Sequence, residues 1–157
     1  MALPSLGVRS LRTKVDTGAR TSSLHAEDIT LFRRGRRTWV RFRIPRGRRG
    51  RRAVLAEAPL AGHRTVRDSG GRETRRPVIR TLLVLGGRAF EAEVTLADRG
   101  PMGYRMLLGR SAVRRRFVVD PIRSYLQGRP HRVDAGGGLP DAVLDRAARP
   151  GQTPATA

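Results

Sequence analysis

The feature that most constrains the fold is a strand pair closed by two glycines: Pro77 to Leu85, the turn Gly86-Gly87, then Arg88 to Leu96. Paired glycines allow positive φ at both central positions, as a tight hairpin turn demands. In the second arm Phe90, Ala92, Val94 and Leu96 alternate with polar residues, the period of a half-buried strand. A second hairpin is predicted from Asp28 to Arg34 and Thr38 to Ile44 about Gly35, with Val40, Phe42 and Ile44 on one side and Trp39, Arg41 and Arg43 on the other. Ala2 to Leu6 and Leu11 to Val15 read as short strands joined around Gly7, and Ala53 to Ala58 as another. The chain therefore reads as all-β.

An apolar share of 38% in 157 residues suffices for one modest core. With aromatics at 4% that core must be aliphatic, with Trp39, Phe42, Phe90 and Phe117 as its few large fillers. The absence of cysteine excludes disulfides and thiolate metal sites. Pro45 to Arg52 is a run of arginine and glycine with nothing to bury, and reads as a solvated loop. Past Leu126 the alternation fades into Gly136-Gly137-Gly138 and scattered prolines. The expected organisation is a domain over residues 1–128 and a disordered tail over 129–157, with at most a weak helix from Leu139 to Ala148.

Two stretches carry chemistry. In Lys14-Val15-Asp16-Thr17-Gly18-Ala19-Arg20-Thr21-Ser22-Ser23-Leu24 an apolar strand delivers one carboxylate onto a glycine turn flanked by hydroxyls. Gly18 lets the backbone fold back, and the hydroxyls can orient the acid, which is a way of presenting a reactive carboxylate. Asp-Thr-Gly is also an ordinary turn. The second stretch, Met106-Leu107-Leu108-Gly109-Arg110, is an apolar run ending in Gly-Arg and leading into the helix-compatible Ser111 to Phe117.

Together with Arg76-Pro77-Val78-Ile79-Arg80-Thr81 and Phe117-Val118-Val119-Asp120-Pro121, these strings resemble a bacterial retropepsin-like aspartic peptidase family over roughly Leu3 to Leu126. That family is often labelled as ATP-dependent zinc proteases, and is associated with a glutamate ligase that modifies a small-subunit ribosomal protein. The resemblance implies a single retropepsin-like closed β-barrel-type domain with one short helix after Arg110. It implies Asp16 as the catalytic acid, Thr17 locking two loops across a dimer axis, Gly18 offering backbone to substrate, and Ala19 completing the loop. Gly109 and Arg110 would support that loop. The family acid that pairs with the arginine is replaced here by Arg20, leaving Glu27, Glu73 or Asp98 as the partner of Arg110. The polar arms His63 to Arg67 and Arg72 to Arg76, joined by Asp68-Ser69-Gly70-Gly71, lie where such enzymes keep a flap. Arg20, Arg72 and Glu73 are then the substrate-binding candidates.

An aspartic peptidase needs two carboxylates sharing one proton. Asp-Thr-Gly-Ala occurs once, so a homodimer would supply the second acid by symmetry. Asp68 lacks an apolar strand leading into it and reads as a turn, and Asp120, before Pro121, reads as structural. His25, His63 and His131 show no metal-ligand spacing, His25-Ala26-Glu27 being the nearest approach, and no phosphate-cradling glycine loop is present. Neither a metal nor another cofactor is expected.

The formal charge of +20 predicts nonspecific adhesion to nucleic acid at low salt. Lys14 is the only lysine, a bias that a high-GC genome also produces, and of the aromatics only Trp39 and Phe42 are interleaved with arginine. The same charge favours acidic or glutamate-rich peptide substrates. No apolar run is long enough for a signal peptide or a membrane span, so a cytoplasmic protein is expected. The reading is a metal-free, homodimeric aspartic endopeptidase. The alternative is a catalytically idle basic module that binds ribosomal RNA or an acidic protein.

Overall fold

A computed structural model of the chain describes residues 1–46, 52–67, 71, 73–98 and 103–128. The expected tail, His131, Asp68 and Arg72 lie outside the described residues. Strands β1 (Thr13–Asp16), β2 (Ser22–His25), β3 (Glu27–Arg34), β4 (Arg37–Arg46), β5 (Arg52–Arg67), β6 (Glu73–Leu85), β7 (Arg88–Ala97) and β8 (Met106–Gly109) are followed by a short helix, α1 (Arg110–Val113). The described strands form one sheet in the order β1-β8-β2-β7-β6-β5-β4-β3. The all-β expectation holds, and among the described residues the one α-helix starts at Arg110 itself rather than after it.

The closed barrel does not: β1 and β3 end the sheet without pairing to each other. Both edges are built to stay open. β1 has four residues, two of them exposed, and finds its hydrogen bonds on β8. β3 carries charge at both ends, and its register breaks between Glu27 and Thr30, where Asp28 takes φ 52. Charge and an irregular ladder are how edge strands avoid further pairing.

Both glycine hairpins form: Leu85 faces Arg88 across Gly86-Gly87, and Arg34 faces Arg37 across a turn at Gly35, one residue earlier than the expected start at Thr38. Two local expectations change. Ala2 to Leu6 is not a strand, because Pro4 has no N–H to give a ladder and instead opens a 3-10 turn over Pro4–Leu6, closed by Gly7 at φ 67. Single bridges Ala2 to Val84 and Leu3 to Val8 tie this segment down. Ala53 to Ala58 and the polar arm His63 to Arg67 are halves of one 16-residue strand, β5. Gly62 sits at φ 150 in a bulge between Leu60 and Gly62, where β5 changes partner from β4 to β6.

The core is aliphatic as expected: Leu24, Val40, Ile44, Ile79, Leu83, Val94, Met106 and Leu108 are at most 1% exposed. Phe42 is fully buried among them and Phe90 nearly so, while Phe117 packs from the rim with its ring centroid 5.9 Å from that of Phe90. Trp39 stays on the outer face of β4, half-buried.

Candidate active site

β8 lies between β1 and β2, parallel to the first and antiparallel to the second. The chain leaves β1 at Asp16, passes over the end of β8 at Gly109, and returns along β2. This crossing explains why glycine stands at position 109. A Cβ there would lie 2.5 Å from the carbonyl carbon of Thr21 and 2.7 Å from its oxygen, contacts a backbone cannot relieve. The Gly109 N–H also donates to Ser22 Oγ at 3.2 Å. Gly109→Ala is expected to lower unfolding free energy by about 3 kcal/mol, the upper end of overpacking penalties, measured by urea denaturation. An unchanged midpoint would contradict the close crossing.

Asp16 is half-buried, and its Oδ1 accepts from the amides of Gly18 at 3.1 Å and Ala19 at 3.2 Å. This is the turn that aspartate makes with its own downstream backbone. It fixes the side chain, and among the described residues Oδ2 accepts no hydrogen bond. A Cβ on Gly18 would stand 3.3 Å from Oδ1, so a larger residue would press on the carboxylate.

The loop carbonyls are held from the other side by the start of α1. Arg110 Nη1 donates to the Thr17 and Gly18 carbonyls, each at 2.9 Å. Its backbone N–H donates to Ala19 O at 2.9 Å, and Ser111 donates to Arg20 O through both N, at 3.1 Å, and Oγ, at 2.8 Å. Four successive carbonyls, 17 to 20, are thereby satisfied by two residues. From a third direction, Arg64 of β5 donates to Thr21 Oγ1 and to Glu93 Oε2.

Among the described residues Arg110 therefore has no carboxylate partner, contrary to expectation. The three candidates are engaged elsewhere: Glu27 with Arg43 and His25, Glu73 with Arg67, and Asp98 with His25. Glu73 sits across from Arg67 at the end of the β5–β6 hairpin and has no described contact with the Asp16 loop. The Arg20 side chain is exposed and makes no ion pair among the described residues, and Thr17 and Gly18 are exposed on the loop. Ser22, one of the hydroxyls expected to orient the acid, accepts from the Gly109 N–H instead, and Asp16 is held by backbone amides. The sequence does not single out Arg64 or Ser111 for support of the loop, and of these two only Ser111 leaves a signal, as a hydroxyl at the start of the predicted helix.

The zinc label of the resembled family requires donors that converge on one point. His25, 7% exposed, has Nε2 3.5 Å from Glu27 and Nδ1 3.7 Å from Asp98. The acids stand on opposite nitrogens of one ring and do not converge on a point, and no group of three His, Cys, Asp or Glu residues is placed to hold an ion among the described residues. These residues do not fit zinc. Asp120 instead holds a turn, accepting from the amides of Ile122 and Arg123 and from Arg123 Nε at 2.8 Å. The Arg123 side chain and those amides hold its carboxyl below the usual carboxylate range.

The profile of the RimB-like family, described as retropepsin-like aspartic endopeptidase RimB, matches residues 1–130. The chain belongs to the RimB-like family. A relative from Shewanella pealeana named probable alpha-L-glutamate ligase is 42% identical over 128 residues, covering 81% of this chain and 28% of the relative. A protein of the same name from Parasynechococcus marenigrum is 43% identical over 128 residues, again covering 28% of its length. The RimB-like chain thus spans little more than a quarter of these curated relatives. The crystal structure of a Legionella pneumophila protein of unknown function is also similar, with 30% identity and a TM-score of 0.59, covering 71% of this chain and 78% of that one. No described helix is long and apolar enough to cross a membrane.

Proposed function

We propose that the chain is one half of a homodimeric, cytoplasmic aspartic endopeptidase in which Asp16 of two copies forms the catalytic dyad. The observation that carries this reading is the braced loop: one carboxylate oxygen pinned by the Gly18 and Ala19 amides, with the loop carbonyls pinned by Arg110 and Ser111. Two carboxylates a hydrogen bond apart cannot both ionise, so they share a proton. The ionised member takes a proton from water as its oxygen attacks the scissile carbonyl carbon, and the protonated member donates to the carbonyl oxygen. The C–N bond then breaks as the amine leaves with a proton, and the dyad returns to its singly protonated state. One Asp16 cannot perform both roles, and a second copy supplies the other. Support for that copy is local: β1 is an edge strand, Val15 is 39% exposed, and Thr17 and Gly18 face solvent.

The substrate is an acidic or glutamate-rich protein segment. Beside the loop, Ser111, Arg114, Arg115 and Arg116 line an open cleft of about 470 Å³, and Arg20 adds a charge with no ion pair among the described residues. Relatives that contain a region like this one bear the name of a glutamate ligase, which points the same way. The test is turnover of matched Glu-rich and Lys-rich peptide libraries at two salt concentrations. The Glu-rich library is expected to turn over about tenfold faster near 0.01 M salt, with a smaller ratio near 0.15 M, where the screening length falls to about 8 Å. Equal turnover at low salt would exclude the charge-selected substrate.

A further inference from the structure

The peptidase reading makes no use of the outer face of β3, β4 and β5. There Phe32 and Trp39 stand directly opposite in the β3–β4 register, both half-buried. The Arg34 guanidinium lies 4.4 Å from the Trp39 ring centroid and 5.3 Å from that of Phe32, and Arg41 lies 5.2 Å from Phe32. Residues two apart on a strand share a face, so Arg37 and Arg43 join this row. The aromatic interleaved with these arginines is Phe32, not Phe42, which is buried in the core. Glu57, opposite Arg41 on β5, receives hydrogen bonds from both Arg34 and Arg41 and sets the angle at which they cover the rings. Those bonds hold its carboxyl below the usual range, so the clamp stays ionised near neutral pH.

Charge on this part of the sheet is lopsided. Residues 27–46 and 52–59 contain eight arginines (33, 34, 36, 37, 41, 43, 46 and 52) against Glu27, Asp28 and Glu57, a balance of +8 − 3 = +5. By the same alternation Arg34, Arg37, Arg41 and Arg43 stand on the Trp39 face while Arg33, Arg46 and Arg52 stand on the other. Of the four, Arg37 makes no ion pair among the described residues, whereas Arg34, Arg41 and Arg43 do. The arginine side chains over the rings remain about half exposed, 52% for Arg34 and 53% for Arg41.

We propose that this face binds single-stranded nucleic acid, with unpaired bases stacking on Phe32 and Trp39 while Arg37 and the half-exposed Arg34, Arg41 and Arg43 take the phosphates. An acidic peptide would satisfy the arginines but has no use for an aromatic pair open to stacking. A duplex keeps its bases stacked inside and cannot offer them to the rings. A flexible single strand supplies both components, flat π surfaces and regularly spaced anionic charge, which is the combination that stacking platforms on sheets exploit. A base would take the place of the Arg34 guanidinium over Trp39, 4.4 Å from the ring centroid, or stack on that guanidinium in turn. No residue of the face belongs to the Asp16 loop, so the inference stands or falls independently of the peptidase reading.

Trp39 is the only tryptophan in the chain, so its emission reports directly on stacking. The full chain is titrated with oligouridylate and oligodeoxythymidylate of about 12 nucleotides, a length within the site sizes of such platforms. Saturable quenching by both single strands is expected, with no quenching by a duplex of equal length or by oligoglutamate. Phe32→Leu should weaken binding about tenfold through the lost stack. Should that variant unfold, Arg37→Ala, a side chain with no described bond to lose, should weaken binding several-fold and lower the salt slope by about 1. Arg88→Ala removes the same charge outside the face and should change affinity by less than about twofold. Equal affinities for the wild type, Phe32→Leu and Arg37→Ala would overturn the proposal and leave only diffuse attraction to a +20 chain. Equal quenching by oligoglutamate would overturn it in favour of an acidic protein partner.

Discussion

Asp16→Asn protein is expected to fold with wild-type stability and to lose peptide hydrolysis by at least about 10³-fold, the scale of acid–base catalysis at such sites. Asparagine keeps the shape of the side chain, and its carbonyl oxygen can still accept from the Gly18 and Ala19 amides that hold Oδ1 of the acid. The turn therefore survives. What is lost is the charge and the shared proton, without which neither water activation nor protonation of the scissile carbonyl proceeds. Undiminished cleavage by this variant would remove Asp16 from the mechanism.

Arg110→Ala should produce the next largest effect. One guanidinium nitrogen bonds the carbonyls of both Thr17 and Gly18, immediately after the acid. Deleting it leaves the backbone bonds from residues 110 and 111 to Ala19 and Arg20 in place, so the crossing persists while the tip of the loop loosens. A misplacement of about 1 Å at a reacting group costs on the order of 10² in rate. The expectation is a fall of that size in kcat with KM little changed, because the loss concerns positioning of the acid and not substrate contacts. Arg110→Lys should recover part of the activity. A variant that lost affinity and kept kcat would instead make Arg110 a substrate contact.

The contrast between Arg110 and Asp16 shows what the residues reveal in advance. A carboxylate on a glycine turn after an apolar strand is visible because each residue type has a local reason to be there, and the Gly-Arg run is visible for the same reason. The partner of Arg110 was sought among carboxylates because charge is legible in a sequence. Backbone carbonyls belong to every residue, and their use by Arg110 appears only once the loop is folded. The contacts of Ser22 and Arg64 escaped for a related reason, since they join elements 87 and 43 residues apart in the chain.

The fold divides along similar lines. The β3–β4 and β6–β7 hairpins were legible because alternation and turn glycines agree. β5 was not, because Gly62 carries the same local signal as a turn while serving as a bulge where the strand changes neighbours. Barrel closure failed for a non-local reason. Whether two edge strands meet depends on accumulated twist and on strand β8 filling the place between β1 and β2, which no single segment encodes.

The central claim is that two copies of Asp16 make one site, and mixing variants tests it most directly. Wild-type and Asp16→Asn chains are combined in equal amounts, dissociated, allowed to reassociate at random, and assayed on one peptide at fixed total wild-type and variant concentration. If the site needs both acids, only pairs of wild-type chains are active, and turnover falls to about one quarter of that given by an all-wild-type sample. If each chain works alone, turnover falls only to about one half, and the shared dyad is contradicted.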